Sequence, residues 1–392
     1  MKKKLLLLTY RFPPVAGPQE IRWLYFLVNL AQRGWQICVL TTDPTVLRGV
    51  WDESLLEHWP SSAEIIYARP GPFLRRGYER PMLEWPVMAL RAGWRLAQKV
   101  DILISSVPPN FSPHVAAALL SWRTGRPWVA DYGDPWVFNP LYQATSWHRQ
   151  IADVLERFLL RMTKRVMVTT EATRRAYQGR VPHLPPNHFI VVPCGYSAAL
   201  YRALNDVKPF ESFTIVYTGG FYPGLRSPEA FFDALIQLGE CAPQVVVAGA
   251  SLSAWESKLA HPVLSQKVRI MPYIPHREAA RLQRRATILL LIGNRSPWQI
   301  PGKLYEYIGA RRPILALQNG PEDASGAMIQ SLNLGLVVPN EPVAIAEAIA
   351  RLQCDWEKGR LDEQFDLSER PEWSWEVLTD VVEDILLEAM AA

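Results

Sequence analysis

The chain contains 392 residues, which is more than one ordinary hydrophobic core holds and fits two domains of roughly 150–200 residues each. Apolar residues make up 49% and charged residues 20%, so the composition excludes intrinsic disorder. The net charge of +4 is unevenly placed. Residues 1–200 carry 24 Lys and Arg against 14 Asp and Glu, and residues 201–392 carry 18 against 24.

The basic first half is also rich in tryptophan, with ten of the 15 Trp before residue 151. This combination suggests an anionic partner or a membrane surface, although a Trp-rich core beneath a solvated basic face explains it equally well. No apolar run reaches the roughly 18 residues of a membrane-spanning helix. The cysteines are far apart and lack metal or redox spacing, so we expect a cytoplasmic protein (Cys38, Cys194, Cys241, Cys354).

The first half alternates apolar strands with amphipathic helices. A strand at 3–10 leads into a helix at 19–33 that Gly34 ends, and a second strand follows at 36–42. The region 43–100 is rich in Trp, Pro and Arg and gives no clear pattern. Beyond it we predict strands at 101–106, 128–131, 165–170 and 189–193, and helices at 114–122, 147–162 and 171–178.

A polar segment at 198–212 interrupts this alternation, and we predict the linker between two domains there. The second half then repeats the pattern, with predicted strands at 213–218, 244–248, 268–272, 287–292, 313–317 and 336–338. Short apolar strands separated by helices indicate parallel sheets covered on both faces, so we predict an α/β fold with two Rossmann-like domains facing a cleft. Ligands of such sheets bind at the carboxyl ends of the strands.

Residues 353–392 form an acidic tail with 12 Asp and Glu against 3 Lys and Arg, and its apolar residues mark one helix face. Such a helix could return to the basic first domain or remain an ordinary solvated terminus. We therefore predict three parts: 1–198, 199–370, and a C-terminal helix at 371–392.

The segment 294–317 carries the strongest functional signal. A strand ends at Gly293, and Pro301 and Gly302 then open a helix whose first free N–H groups form an anion site. Lys303 adds a positive charge, and Glu306 on the next turn is suited to accept hydrogen bonds from a ribose diol. The structural alternative is a Pro-capped helix with a salt bridge between these two residues.

Two glycines follow the first strand of the second half. Gly219 and Gly220 allow a ligand to approach the backbone closely, and Arg226 could supply a second positive charge for a pyrophosphate. A simple turn is the competing interpretation, but the pairing with Lys303 at the same edge of one sheet favours a binding site.

Candidate polar residues also follow strands of the first half. The loop 13–17 is not the dinucleotide-binding glycine pattern, and Arg22 lies early in the next helix. His114, Asp131 and Asp134 come from the segments 105–114 and 130–136, although each type is often a core residue or a helix cap. The sequence contains no P-loop, no nucleophile elbow, no zinc-type cluster and no Asp-x-Asp pair.

Taken together, these segments resemble a retaining family 4 glycosyltransferase of the GT-B fold, of the type that builds bacterial surface polysaccharides. The resemblance covers essentially the whole chain. It rests on Pro13, Pro14, Gly17 and Arg22 and on the segments RGWQICVLTT, SSVPPNFSPH, RPWVADYGDPW, VVPCGY, YTGGFYPGLRSPE and PGKLYEYIGARRPIL.

The resemblance implies metal-independent transfer, with retention at the anomeric carbon, from a nucleotide sugar to a saccharide or lipid-linked acceptor. A UDP-sugar is the favoured donor and a GDP-sugar the second, and no other cofactor is implied. The first domain would bind the acceptor and the second the nucleotide sugar. The implied site residues are catalytic His114, Asp134 and Glu306, donor-binding Gly219, Gly220, Arg226, Gly249, Tyr273, Pro301, Gly302, Lys303, Leu304 and Glu306, and acceptor-side Gly17, Arg22, His114, Asp131 and Asp134.

The sequence departs from the family pattern at the first of its two paired glutamates, where Trp298 stands. This departure leaves open an inactive nucleotide-sugar-binding scaffold, and a sugar-nucleotide epimerase is a second alternative because it would use the same fold. We also expect peripheral contact with the inner face of an anionic membrane. The residues that suggest it lie within the unpatterned region (Arg69, Arg75, Arg76, Arg80, Trp85, Arg91, Trp94, Arg95).

Overall fold

The computed structural model describes residues 2–47, 49–72, 81–108, 110–139, 142, 144–221, 226–249, 251–294 and 296–391, with 81–83 described by their backbone only. Contacts divide the chain into two compact units. Unit 1 comprises Met1–Cys194 and Trp375–Ala392, and unit 2 comprises Gly195–Ser374.

A seven-stranded parallel sheet forms the centre of unit 1. Its strand order is β5-β3-β1-β6-β7-β8-β9, and a short antiparallel pair, β2 and β4, lies outside it. The central strand β1 reads KLLLLT, and its four leucines are completely buried because helices cover both faces of the sheet. The strands are β1 Lys4–Thr9, β2 Val15–Ala16, β3 Gln36–Thr42, β4 Val50–Trp51, β5 Glu64–Ala68, β6 Ile102–Val107, β7 Trp128–Tyr132, β8 Arg165–Val168 and β9 Phe189–Val191.

Five helices of the described chain precede residue 195. They are α1 Pro18–Gln32, α2 Pro81–Ala97, α3 Ser112–Thr124, α4 Ser146–Met162 and α5 Glu171–Arg180. Residues of α2, α3, α4 and α5 share one apolar core with β1 and β6–β9, whereas α1 belongs to the core on the other face of the sheet.

Local hydrogen bonds explain where some elements differ from the predicted bounds. The strand predicted to reach residue 170 ends at Val168 because Thr170 caps α5, its hydroxyl accepting from the Thr173 N–H at 3.1 Å. The strand predicted at 189–193 ends at Val191 because the guanidinium of Arg22 donates to the carbonyls of Val192 and Pro193.

The unpatterned region contains α2, and its tryptophans face inward. Trp85 is 1% exposed and belongs to the core, so the predicted contact of its ring with lipid is wrong. Trp94 is partly buried beneath the guanidinium of Arg123, 4.9 Å from its ring centroid. Arg69, Arg91 and Arg95 are exposed. The predicted lipid contacts Arg75, Arg76 and Arg80 lie outside the described residues.

Unit 2 contains a six-stranded parallel sheet in the order β12-β11-β10-β13-β14-β15. The segment predicted as a linker begins with a short helix, α6. The strands are β10 Thr214–Thr218, β11 Gln244–Ala248, β12 Val268–Met271, β13 Ile288–Ile292, β14 Ile314–Gln318 and β15 Gly335–Pro339. The helices are α6 Ala198–Arg202, α7 Glu229–Leu238, α8 Glu256–Leu259, α9 Pro262–Lys267, α10 His276–Arg285, α11 Gly302–Ala310, α12 Ala324–Ser331 and α13 Pro342–Glu357.

The C-terminal helix α14, Trp375–Ala391, belongs to unit 1 and packs on α1. Its apolar face is buried there, and Trp375 stacks on Tyr25 with ring centroids 6.1 Å apart. Its acidic face meets Arg33, which lies 2.8 Å from Asp380 and 3.2 Å from Glu383. The acidic helix thus packs on the basic residues of unit 1, and apolar burial supplies most of its stability because exposed ion pairs contribute little.

The burial of α14 predicts the effect of truncating one residue on its inner face. Leu386 is completely buried, whereas Val381 is 37% exposed. We expect Leu386→Ala to lower the free energy of unfolding of unit 1 by about 2–5 kcal/mol. The matched control Val381→Ala should change it by less than about 0.5 kcal/mol. Urea denaturation measures both, and equal effects of the two substitutions would contradict this packing.

Candidate functional site

The carboxyl ends of the unit 2 strands bring several candidate residues to one edge of the sheet. β10 pairs in parallel with both β11 and β13, so the segments that follow these strands share that edge. Gly219 follows β10 with φ +103°, and Gly249 follows β11 with φ +84°. These conformations favour glycine. The Gly219 N–H donates to the Ala248 carbonyl at 2.8 Å, which joins the two turns.

The ammonium of Lys303 lies against Gly219, which in turn lies close to Gly249. A Cβ atom at Gly219 would stand 3.1 Å from the Lys303 Nζ, and a Cβ at Gly249 would stand 3.7 Å from the Gly219 nitrogen. Glycine is therefore required at position 219 both by its backbone angle and by the approach of the lysine. Gly220 contributes a carbonyl that accepts from the Tyr217 hydroxyl at 2.8 Å.

The Nζ of Lys303 is buried without a hydrogen-bond partner among the described residues. Its Nζ lies 3.8 Å from the ring centroid of Tyr217, which provides a cation–π contact but accepts no conventional hydrogen bond. Desolvation, reinforced by the charge of Arg226, lowers the pKa of Lys303 well below its usual value of 10.5. A buried, unpartnered ammonium is unfavourable, and an anionic ligand would relieve it.

Glu306 lies on the same helix and is held by two side chains of α10. Its Oε1 accepts from the His276 ring at 3.0 Å and its Oε2 accepts from the Gln283 amide at 3.1 Å. Burial by itself would raise the pKa of Glu306, but the hydrogen bond and charge of His276, the Gln283 bond and the charge of Lys303 together lower it. The carboxylate is therefore ionised and oriented.

No ion pair within 4.0 Å joins Lys303 to Glu306, so the described residues do not form the salt bridge that is the structural alternative for this helix. His276 and Gln283 were missed by sequence reasoning. They are seven residues apart and therefore share one face of α10, a polar spacing that was the available signal.

Asn294 is a further polar residue that the sequence analysis did not single out. It follows β13 at the same sheet edge and is 1% exposed. Neither its Oδ1 nor its Nδ2 has a hydrogen-bond partner in the part of the chain that the structure describes. An amide buried with both groups unsatisfied is unusual and is explained by a ligand or an ordered water.

The other predicted donor residues have varied surroundings. Pro301 is the N-cap of α11 and Gly302 is its first residue, so these two begin the helix as expected. Tyr273 follows β12 and is 39% exposed. Leu304 is completely buried in the apolar core, and its N–H donates to the Pro301 carbonyl at 2.9 Å, so it offers a ligand neither a side chain nor a free donor.

In unit 1, Arg22 and Asp131 form a buried network. Both side chains are fully buried, and the Arg22 guanidinium lies 3.1 Å from the Asp131 carboxylate. The Asp131 carboxylate also accepts from Gln19 at 2.6 Å and from the Trp23 indole at 2.7 Å. These contacts join α1 to β7 and give both residues a structural role, while their predicted place on the acceptor side stays a prediction.

His114 is likewise completely buried. Its Nδ1 lies 2.7 Å from the Ser105 hydroxyl, and desolvation lowers its pKa to about 3. The ring is neutral, and its Nε2 is buried without a hydrogen-bond partner among the described residues, so the predicted catalytic role of His114 stays a prediction. Gly17 is the extended N-cap of α1, where a Cβ would collide with the Glu20 carboxylate. Asp134 is half-buried, whereas Asp131 is completely buried.

The described residues lack two further features. They contain no group of three or more His, Cys, Asp or Glu side chains placed to hold a metal ion. None of their helices is both long and apolar enough to cross a membrane.

Two family models match successive parts of the chain. Residues 19–195 match the glycosyl transferase 4-like domain, and residues 212–355 match the glycosyl transferases group 1. The chain is a glycosyltransferase. The first match contains every strand of the unit 1 sheet except β1, and the second contains Gly219, Lys303 and Glu306 of unit 2. A comparison with curated proteins gives no match.

Solved structures similar to this enzyme share its fold at low identity. Sucrose-phosphate synthase from Thermosynechococcus elongatus is 18% identical with a TM-score of 0.75, covering 100% of both chains. Anabaena HepE in complex with UDP-glucose is 15% identical with a TM-score of 0.71, covering 98% of this chain and 99% of its own. UDP-GlcNAc 2-epimerase from Neisseria meningitidis, bound to UDP-GlcNAc, is 12% identical with a TM-score of 0.65, covering 98% and 100%. The enzyme has the GT-B fold.

The unsatisfied ammonium predicts that the enzyme is less stable than an uncharged variant. Lys303→Met keeps the length of the side chain and removes its charge, so we expect it to raise the free energy of unfolding by about 1–3 kcal/mol. The pKa of Lys303 is lowered in the folded state. The stability of the wild type therefore rises as the pH approaches 10.5, and the difference between the two proteins shrinks.

Chemical denaturation at several pH values measures this difference. Lys208→Met is the matched control, because Lys208 is exposed in the same unit, and it should change the stability by less than about 0.5 kcal/mol. If Lys303→Met were less stable than the wild type at neutral pH, the ammonium would have to gain a stabilising interaction in the folded protein, which would contradict this account.

Proposed function

We propose that this enzyme transfers a sugar from a nucleotide diphosphate sugar to a saccharide or lipid-linked acceptor, with retention at the anomeric carbon and without a metal. The observation that carries the proposal is the buried Lys303 ammonium, which lacks a hydrogen-bond partner among the described residues and lies beside Gly219 at the carboxyl edge of the unit 2 sheet. Parallel sheets bind ligands at this edge.

The diphosphate of the donor would occupy the space between the glycine turn and the start of α11. Gly219 has no side chain to exclude it, and Lys303 supplies a charge that solvent does not satisfy. Arg226 is close enough to depress the pKa of Lys303 and so adds a second cation. The first N–H groups of α11 complete an anion site.

Glu306 would hold the ribose of the nucleotide. Each of its carboxylate oxygens already accepts one hydrogen bond, from His276 or Gln283, and each retains capacity for another. Two free acceptor positions match the two hydroxyls of a ribose. Since the pKa of Glu306 is lowered, the carboxylate remains an acceptor at neutral pH. His276 and Gln283 therefore act as positioning residues.

The chemistry that these groups favour is departure of the diphosphate. The bond between the anomeric carbon and the phosphate oxygen breaks, and negative charge collects on the β-phosphate, where Lys303 and Arg226 stabilise it. The acceptor hydroxyl forms the new bond on the same face and passes its proton to the departing phosphate oxygen, so the configuration is retained. Positive charge from the protein takes the place that a metal would otherwise fill.

UDP-sugars are the favoured donors and GDP-sugars the second choice. Anabaena HepE, which has the same fold, was solved with UDP-glucose. We propose that residues 1–198 bind the acceptor, residues 199–370 bind the nucleotide sugar, and Asp134 contributes on the acceptor side. The enzyme would then serve bacterial surface-polysaccharide synthesis at the cytoplasmic face of the membrane. His114 is also proposed for the acceptor side, because its buried Nε2 has no hydrogen-bond partner among the described residues, whereas Arg22 and Asp131 are already paired with each other.

A second candidate is a sugar-nucleotide epimerase. The similarity to a UDP-GlcNAc 2-epimerase structure favours it, and the same donor site would serve it. The third alternative, an inactive binding scaffold, is motivated by Trp298 at the position of the first family glutamate. The products separate all three: transfer and donor hydrolysis release UDP, epimerisation gives a new UDP-sugar, and the scaffold gives neither.

The donor site predicts which variants lose activity. Incubation with UDP-glucose and other UDP-sugars should give slow UDP release, measured by chromatography. Lys303→Ala should reduce kcat/KM for release about 100- to 1,000-fold, because it removes a cation that acts on the leaving group. Asn294→Ala, which removes a buried amide that has no partner among the described residues and could bind the donor, should reduce it about tenfold.

Matched controls come from exposed residues of unit 2. Lys208→Ala and Glu278→Ala should leave UDP release unchanged, since both side chains are exposed and away from the glycine turn. A UDP-dependent rise of the melting temperature in the wild type separates binding from catalysis. UDP release that survives Lys303→Ala would overturn the proposed site.

A further inference from the structure

Helix α4 presents a stripe of large apolar side chains to solvent. Trp147, Ile151, Val154 and Phe158 are 58%, 57%, 69% and 55% exposed. Their spacings of four, three and four residues place them on one face of the helix. The opposite face of α4 is buried in the core of unit 1, so the exposed stripe is not needed to hold the helix in the fold.

The neighbouring helix α3 extends this apolar surface. Trp122 is 74% exposed and Leu119 is 40% exposed. α3 and α4 contact each other, and both cover the same face of the unit 1 sheet. We call this surface the α3–α4 face, formed by Leu119, Trp122, Trp147, Ile151, Val154 and Phe158. Several exposed large apolar residues on adjacent helices mark an interaction site.

Positive charge borders the α3–α4 face without matching negative charge. Arg123, Arg149 and Arg161 are exposed on the same two helices. Within the described residues, no carboxylate lies within 4.0 Å of any of the three guanidinium groups. The two carboxylates of α4 are neutralised, because Asp153 pairs with Arg157 and Arg180, and Glu156 is buried and also pairs with Arg180.

We propose that the α3–α4 face docks on the surface of an anionic lipid bilayer. Tryptophan and phenylalanine side chains bordered by arginine match the boundary between headgroups and acyl chains. Trp147 and Phe158 are separated by about 16 Å along the helix axis, so α4 would lie flat in the plane of the membrane. This inference deepens the proposed membrane contact and is independent of the donor chemistry.

A second copy of the chain fits this surface less well. In a two-fold dimer the same face meets itself, which would bring the arginine borders of the two copies together. An anionic bilayer instead complements those borders, and its attraction to them falls with salt. The surface differs from the one suggested by sequence, because Trp85 is buried and Trp94 is covered by Arg123.

Vesicle sedimentation tests the proposal with the full-length enzyme. The wild type should pellet with vesicles of about equal parts phosphatidylglycerol and phosphatidylcholine at low salt, and about tenfold less with phosphatidylcholine alone or at high salt. Ile151→Ser/Phe158→Ser should reduce binding to the anionic vesicles about tenfold, because it removes apolar contact area. Arg149→Gln/Arg161→Gln should reduce it only at low salt.

The controls use residues of the same type elsewhere on the surface. Val343→Ser/Val381→Ser changes two exposed valines, 60% and 37% exposed, and should bind vesicles as the wild type does. All variants should keep the UDP-dependent thermal shift, so loss of vesicle binding does not reflect loss of fold or of the donor site.

Three results would overturn the proposal. The first is failure of the wild type to bind anionic vesicles, and the second is binding that Ile151→Ser/Phe158→Ser leaves unchanged. The third is a concentration-dependent dimer in analytical ultracentrifugation that this double variant dissociates, which would assign the face to a second copy. None of these results affects the proposed donor site, whose readout is UDP release.

Discussion

The buried ammonium of Lys303 is the feature on which the rest of the unit 2 site depends. The surrounding protein provides the Tyr217 ring but no hydrogen-bond acceptor within the described residues. Such an arrangement destabilises the ligand-free protein, and an anion at the glycine turn would convert that penalty into binding energy. The site is therefore better matched to a negatively charged ligand than to water.

The neighbouring residues follow from the same constraint. Gly219 is needed because a side chain there would meet the lysine, and its positive φ turns the chain away from the sheet edge. Glu306 lies one helical turn from Lys303 but does not neutralise it. Its oxygens are directed by His276 and Gln283 instead, which leaves the ammonium for the ligand. Of the two opposite charges on this helix, only the carboxylate is hydrogen-bonded by the described residues.

The local sequence pattern predicted most strands and helices of the fold, but only some residues of the candidate site. The parallel strands and the acidic C-terminal helix could be read from apolar runs, and Lys303 and Glu306 from the start of a helix. His276 could not, because it lies 30 residues before Glu306 and meets it only through the packing of α10 on α11. The pairing of Arg22 with Asp131 could not be predicted either, since it joins residues 109 positions apart and removes both from solvent.

Periodicity also failed to identify the exposed face of α4, because this helix is apolar on two sides. Ala152, Leu159 and Leu160 face the core, while Ile151 and Phe158 face solvent at the same helical spacing. Only tertiary packing distinguishes the two stripes. The tryptophans of the first half therefore include both core residues and surface residues. Trp23, Trp85 and Trp128 are core residues, and Trp122 and Trp147 lie on the surface.

The most direct test of the central claim is the pKa of Lys303 measured by NMR of the ¹³C-labelled lysine side chain, with and without saturating UDP. The Lys303→Arg variant assigns the signal. In the free enzyme we expect a pKa below the usual 10.5. A bound diphosphate should raise it by about one unit or more, because the ammonium gains an anionic partner. A pKa that UDP leaves unchanged would contradict the assignment of Lys303 to the diphosphate.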